Sequence, residues 1–300
     1  MARMSNTTSP EFFEAREVPL GGVRGVQVDR VLPQRGLPTL GAWCFLDQFG
    51  PDVAEMVVLP HPHIGLQTVT WPLAGEIRHR DSVGSDAILR PGQLNLMTSG
   101  RGVSHSELSI GTGPLHALQL WVALPADAAA GPAGFEHHAS LPRYQDNGID
   151  ALVFMGTLGD AESPATTYSP LVGAQLDVTE ATLPLRPDFE YGLLVVDGIV
   201  QVAGVELKPG PLLYLGTGRD ELTISGPARA VLLGGEPFGE DLVMWWNFVG
   251  RSHDEIMAAR EDWEGGDPSR FGTVAGHGAD RIPAPILPNL RLKPRKQPVR

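Results

Sequence analysis

The chain carries one long pattern twice, and this limits its architecture more than any other feature. Residues 60–75, "PHPHIGLQTVTWPLAG", lie over 183–198, "LPLRPDFEYGLLVVDG", at a constant offset of 123, with Leu66 on Phe189 and Gly75 on Gly198. Each copy then reaches an L-x-P-G element, at 89–92 and at 207–210, now offset by 118, so the intervening hairpin is shorter in the second copy. A repeat of this length is a domain, not a solenoid unit. Both copies read as short β-rich runs, such as "LQTVTWPL" and "YGLLVVDGIVQVAGVEL", bounded by Gly, Pro, Asp or Ser. The 36 Gly and 27 Pro suit many strands joined by tight turns, and 42% hydrophobic residues suffice for a sizeable core. The expectation is an all-β protein of two tandem domains, 1–140 and 141–300, joined near the looser stretch at 142–148. One helix is expected near 252–264: Ser252 and Glu255 form a capping box, and Ile256, Ala259, Arg260 and Trp263 recur at helical spacing before Gly265 and Gly266. A proline-rich, locally basic tail follows, either laid across its own protein or mobile.

A net charge of −12 opposes binding to phosphate backbones, so no direct nucleic-acid partner is expected. The single cysteine, Cys44, sits among apolar residues and reads as a buried small side chain in a protein of a reducing compartment. The first residues contain no apolar signal core, and no run of 18 apolar residues occurs, so the expectation is a cytoplasmic protein without a membrane partner.

Chemistry concentrates in two pairs. His61 and His63 are two apart in "LPHPHIG", and His105 and Glu107 are two apart in "GVSHSEL". On an extended segment side chains i and i+2 point to the same face, so each pair can converge on one ion. A lone HxH on a strand is a weak signal, because surface or satisfied core pairs are common. Two pairs in one barrel-like domain are much stronger. Three imidazoles and a carboxylate suit Fe, Mn, Ni, Cu or Zn rather than Ca. Pro60 and Pro62 stiffen the first pair but equally mark an edge strand.

The stretch from "PHPHIG" to "GVSHSE", with "LQLWVALP" (118–125) and "VMWWNFVGRSHDEIMAAREDW" (243–263), resembles the pirin family, and the likeness covers nearly the whole chain. That resemblance implies two cupin barrels, of double-stranded β-helix or jelly-roll type. It also implies one transition-metal ion in the first barrel, Fe(II) by preference, with Mn, Ni, Cu or Zn as other occupants. The implied ligands are His61, His63, His105 and Glu107. Gln67 stands where many other cupins place a further glutamate ligand, so the carboxylate must come from Glu107. In the second copy the ligand-equivalent positions hold Pro184, Arg186, Thr223 and Ser225, so that barrel is expected to bind no metal.

His116 shares strand parity with Leu118 and Leu120 and is expected to point inward as a satisfied buried residue. His79, His137, His138, His253 and His277 have no partner at useful spacing. Gly100-Arg101-Gly102 lacks a phosphate-loop context and reads as the turn that feeds His105 into the site.

Some bacterial pirins are similar to quercetin 2,3-dioxygenases, which open the flavonol heterocycle with O2 and release CO. The resemblance therefore implies a small aromatic substrate and O2, with Glu107 as the catalytic base for the 3-hydroxyl as well as a ligand. The alternative implied by eukaryotic pirins is a non-enzymatic, iron-dependent regulator that binds a transcription factor or a metabolic enzyme. A monomer is expected in either case.

Overall fold

The computed structural model describes residues 9–19, 27–53 and 55–296. Strand accounts for 54% of the chain against 6% helix, so the expected all-β class holds, with two cupin-type domains and a short C-terminal helix. Contacts divide the chain into two units. One comprises Met1–Arg16, Val31–Cys44 and His138–Phe238; the other comprises Glu17–Arg30, Phe45–His137 and Gly239–Arg300.

The first of these is built on an antiparallel sheet in the order Glu11–Phe13, Leu212–Gly216, Glu190–Gly198, Glu221–Gly235, Leu171–Pro184, Ile149–Leu158 and Arg143–Asp146. Its core gathers one face of these strands, including Val153, Val172, Leu176, Leu193, Leu213 and Leu232. Burial alternates along much of Leu171–Pro184, as a half-solvated antiparallel strand requires. The repeat is visible in the turns: Gly75 and Gly198 both take a left-handed conformation, at φ 82° and 88°.

The second unit has a four-stranded antiparallel sheet in the order Val57–His63, Val103–Ile110, Glu76–Asp81 and Asp86–Leu89. A further sheet runs Gly134–His138, Leu94–Thr98, Leu66–Ala74, Leu115–Ala123 and Trp43–Asp52, and continues to Gln27–Leu32 and Arg16–Pro19. Leu66–Ala74 is buried along seven of its nine residues, so it lies covered on both faces.

Packing changes unit between His137 and His138, ahead of the stretch 142–148. The contiguous division into 1–140 and 141–300, however, is not how packing divides the chain, because Gly239–Arg300 belongs with the N-terminal barrel. The reason lies in the helix His253–Gly265, which needs an apolar surface for its buried stripe of Ile256, Ala259 and Trp263. It finds that surface in Ile64, Val243, Phe248, Phe271 and Ala284. The Ser252 hydroxyl accepts from the Glu255 N–H, while the Glu255 carboxylate reaches one residue further back, to the N–H of Arg251, at 2.7 Å. Arg260 lies off the stripe and donates to the Pro285 carbonyl instead.

The tail lies across its own unit. The Trp263 indole donates to the Ile282 carbonyl, and the Ile282 N–H donates to the Pro60 carbonyl at 2.8 Å. Among the described residues no helix is long and apolar enough to cross a membrane. Cys44 is fully buried, as its apolar neighbours imply.

Candidate metal centre

The register of three strands assembles the site. Val57–His63 runs antiparallel to Val103–Ile110 with His61 opposite His105. On the other flank of Val103–Ile110, His105 stands opposite Asp81 and Glu107 opposite His79. Residues opposite one another share a face, as do residues i and i+2, so the four ligand candidates and the His79–Asp81 pair are presented on one side of the sheet. All six are buried. His61, His63 and His105 bring one ring nitrogen each within 4.8 Å of one another, and the same distance groups Glu107 with His105 and His79.

Backbone carbonyls decide which ring nitrogens point at the centre. His61 Nδ1 meets the Leu59 carbonyl at 2.9 Å and His63 Nδ1 meets the Asn247 carbonyl at 3.0 Å. A carbonyl only accepts, so both hydrogens sit on Nδ1 and both Nε2 lone pairs face inward. His63 Nε2 lies 3.1 Å from His105 Nε2. Two nitrogens about 2.1 Å from one ion and about 90° apart stand about 3.0 Å from each other, so this pair has the spacing of adjacent ligands.

Burial holds the imidazoles neutral. It pulls His61 down to about 4, with the Leu59 hydrogen bond opposing, and takes His63 and His105 well below the usual histidine value, with neighbouring histidines adding to the effect. Neutral rings are the form that donates to a metal. Burial acts on Glu107 in the opposite sense and raises its pKa above the ordinary carboxylate value, against the Thr70 hydrogen bond. Bare nitrogens converging in a buried pocket beside a carboxylate fit a divalent transition ion and match no structural zinc set of thiolates.

Asn247 reaches His63 because the C-terminal segment folds onto this unit. Ile64 and Phe248 form a parallel bridge, and the Val249 N–H donates to the Ile64 carbonyl. Trp246, just before Asn247, sits at φ 52°, a left-handed conformation that costs a bulky residue energy and is held here by its surroundings. The two adjacent segments thus lock the acceptor against the first histidine pair.

A cavity of about 320 Å³ opens onto His61, His63, His105 and Glu107. Its walls include Phe49, Met56, Val58, Trp121, Trp246 and Ile282. Phe45 stacks on Trp121 with centroids 3.9 Å apart, and the Arg30 guanidinium lies over Phe45 while making two 2.8 Å bonds to the carboxylate of buried Asp47. The charge of each is thereby matched, and the mouth stays close to neutral. Beside the centre, Thr70 Oγ1 is 2.7 Å from Glu107 and 3.2 Å from the Gln119 amide. A hydroxyl has one hydrogen, and the shorter contact gives it to Glu107 Oε1; the Gln119 atom at 3.2 Å is its amide oxygen Oε1.

Several expectations need correction. His79 is not an idle residue: its Nε2 meets Asp81 Oδ2 at 3.1 Å and its Nδ1 meets His105 Nδ1 at 3.4 Å. Asp81 was legible as well, since "HRD" has the same i, i+2 spacing as the two pairs singled out. His116 does not point into the core: the pairing with the neighbouring strand slips there, from Ala74 opposite His116 to Pro72 opposite Ala117, and His116 is half-buried beside Gln48. His137 meets Asn95, His253 accepts from the Leu292 N–H, and His277 meets Ser106. Gln67 is buried and donates to Thr98. Asn247 has no side-chain signature, because it acts through its carbonyl. In the other unit, Pro184, Arg186, Thr223 and Ser225 are all exposed, with Arg186 paired to Asp188 and Thr223 to Thr182.

Comparison with known proteins identifies the family of the chain. Residues 25–122 match the Pirin family model and 175–272 match that of the Pirin C-terminal cupin domain. A Pseudomonas aeruginosa protein named "Putative quercetin 2,3-dioxygenase" is 45% identical over 91% of this chain and 89% of its own. A "Pirin-like protein" of Caulobacter vibrioides is 37% identical over 85% and 92%. The crystal structure of a quercetin 2,3-dioxygenase from Acinetobacter baumannii superposes with a TM-score of 0.90 at 40% identity, covering 96% of this chain and 98% of that one. By these matches this chain belongs to the pirin family.

Proposed function

We propose that this chain is a metal-dependent dioxygenase that opens a flavonol-like aromatic substrate with O2, using one divalent ion, iron(II) by preference, held by His61, His63, His105 and Glu107. The observation that carries the reading is the convergence of bare imidazole nitrogens, with His63 Nε2 3.1 Å from His105 Nε2, at the floor of an aromatic cavity. Similarity to proteins named quercetin 2,3-dioxygenase supports the substrate class. When bound, such an ion supplies Lewis acidity toward a coordinating oxygen and a redox partner for O2.

The chain's own residues do the rest. His61 and His63 keep their Nδ1 hydrogens on backbone carbonyls, which fixes ring orientation at no cost in donor strength. The stacked Phe45 and Trp121 give a flat wall suited to a planar ring system, and the apolar lining excludes water. Glu107 takes the proton of the substrate's 3-hydroxyl, a task matched by the upward shift that burial gives its carboxyl. Gln119 lines the cavity beside Glu107, where its side-chain amide contacts a second hydroxyl of the substrate and sets its orientation.

The test is anaerobic binding followed by admission of air. Quercetin added to the iron(II)-loaded protein should bind without O2 and be consumed with release of CO once O2 is admitted. Binding without consumption in air would point to a regulator that senses an aromatic ligand instead.

A further inference from the structure

Behind His105 runs a chain of hydrogen bonds whose direction is fixed at its far end. Asp81 Oδ1 accepts from the backbone N–H groups of Val83 and Ser85, at 3.0 and 2.9 Å, so the carboxylate is held in the turn. Its Oδ2 lies 3.1 Å from His79 Nε2. A carboxylate only accepts, so His79 carries its hydrogen on Nε2. Its Nδ1 faces His105 Nδ1 at 3.4 Å, so only one of these two atoms carries the hydrogen between the rings. For His105 to turn a lone pair toward a cation, that hydrogen must be the one on His105 Nδ1, with His79 Nδ1 as its acceptor. This leaves His105 Nε2 bare, 3.1 Å from the bare Nε2 of His63. Phe135 stacks on His79 with centroids 4.6 Å apart and holds the ring plane in which both contacts are made.

From this geometry we infer that His79 and Asp81 are positioning residues that select the one tautomer of His105 able to donate to a cation. The inference rests on the reading of this cluster as a metal centre but not on the flavonol substrate. It makes a sharp demand on a single atom pair. In Asp81→Asn the amide carbonyl stays with the Val83 and Ser85 N–H groups, and the amide nitrogen turns toward His79 Nε2. Two donors cannot face each other, so His79 moves its hydrogen to Nδ1, His105 receives it there, and the hydrogen of His105 moves to Nε2, into the centre. One nitrogen for one oxygen, two residues removed from the ion, reverses the chain.

Nickel(II) titration of the metal-free protein by calorimetry tests this, with unfolding curves to check folding. Outer partners of metal-bound histidines typically contribute about 10–100-fold in affinity, and Asp81→Asn should weaken nickel(II) binding by about that factor. His79→Asn offers His105 an acceptor that no longer depends on Asp81. Asp81→Asn should then change affinity less than about 2-fold in that background, whereas a purely structural role for Asp81 in its turn would cost the same in both. Independently of any variant, 15N spectra of the metal-free wild type should show His105 protonated at Nδ1. Protonation at Nε2, equal losses in both backgrounds, an unchanged affinity in Asp81→Asn alone, or a second ion taken up by His79, His105 and Glu107 would each overturn the inference. Failure of the wild type to bind nickel(II) at all would instead remove the metal-centre reading on which it rests.

Discussion

His63 Nε2 and His105 Nε2 stand 3.1 Å apart, with the hydrogen of His63 held on the Asn247 carbonyl, and the tautomer inferred for His105, its hydrogen toward His79, leaves both atoms bare. Two lone pairs at that distance repel unless a cation lies between them. Metal-free protein should therefore gain stability on loading, by RT ln(1 + [L]/Kd), or about 4 kcal/mol at a thousand-fold excess over Kd.

One ion per chain is expected. His61→Ala and His105→Ala should each reduce bound metal to less than about a tenth of wild type, because removing one of few protein donors leaves a labile site. Elemental analysis after desalting checks this. A wild-type stoichiometry of two, or full retention in both variants, would contradict the assignment.

Acid should destabilise the metal-free protein early. His61 is held near pKa 4 in the fold against 6.5 in the unfolded chain, and His63 and His105 are lowered as well. Between those values the unfolded state binds more protons, so stability is present above pH 6.5 and is lost as pH falls toward 4. His61 alone accounts for about 3 kcal/mol of that loss. Glu107, with its raised pKa, works in the opposite sense as one group against three. Thermal unfolding should show a steep fall in Tm between about pH 6.5 and 5 that metal loading reduces. A flat profile would show that the histidines are not buried in neutral form.

Much of this centre was legible because strand periodicity is a strict rule. Side chains two apart share a face, so His61 with His63 and His105 with Glu107 declared themselves, and the repeat placed the turn glycines Gly75 and Gly198 in matching left-handed turns. His79 and Asp81 obey the same spacing and were missed only because an Asp-His pair was not weighed as a partner for the other two. His116 misled for a different reason: the extra residue, Leu73, lies in the partner strand, and nothing in "LHALQLW" announces the slip in pairing. Asn247 acts through a carbonyl 184 residues away in sequence, and the return of Gly239–Arg300 to the first barrel depends on long-range packing. Neither leaves a local trace.

Gly65 lies directly against the returning segment. It sits at φ 69°, and a Cβ there would collide with the Val249 carbonyl oxygen. Gly65→Ala should cost about 2–4 kcal/mol and should weaken nickel(II) binding, because the displaced segment carries the Asn247 acceptor for His63. Denaturant unfolding and calorimetry read the two effects. An alanine variant of wild-type stability would show that this contact does not hold the segment.

The second barrel should be silent toward metal. Arg186→Ala and Thr223→Ala alter exposed positions equivalent to His63 and His105, and each should leave metal content unchanged and stability within about 0.5 kcal/mol. Loss of metal from a folded variant would mean that the two repeats are misaligned.

The central claim is that the ion, the cavity and Glu107 together form an O2-dependent flavonol-opening site. Its most direct measurement is CO released from quercetin by iron(II)-loaded wild type in air, alongside metal-free protein, quercetin methylated at the 3-hydroxyl, and Glu107→Gln. The account predicts CO in proportion to quercetin consumed, none from the metal-free protein or the methyl ether, and in Glu107→Gln a fall in rate of about 100-fold or more that exceeds its loss of metal. Quercetin left unchanged by the iron, manganese, nickel and copper forms alike would contradict it.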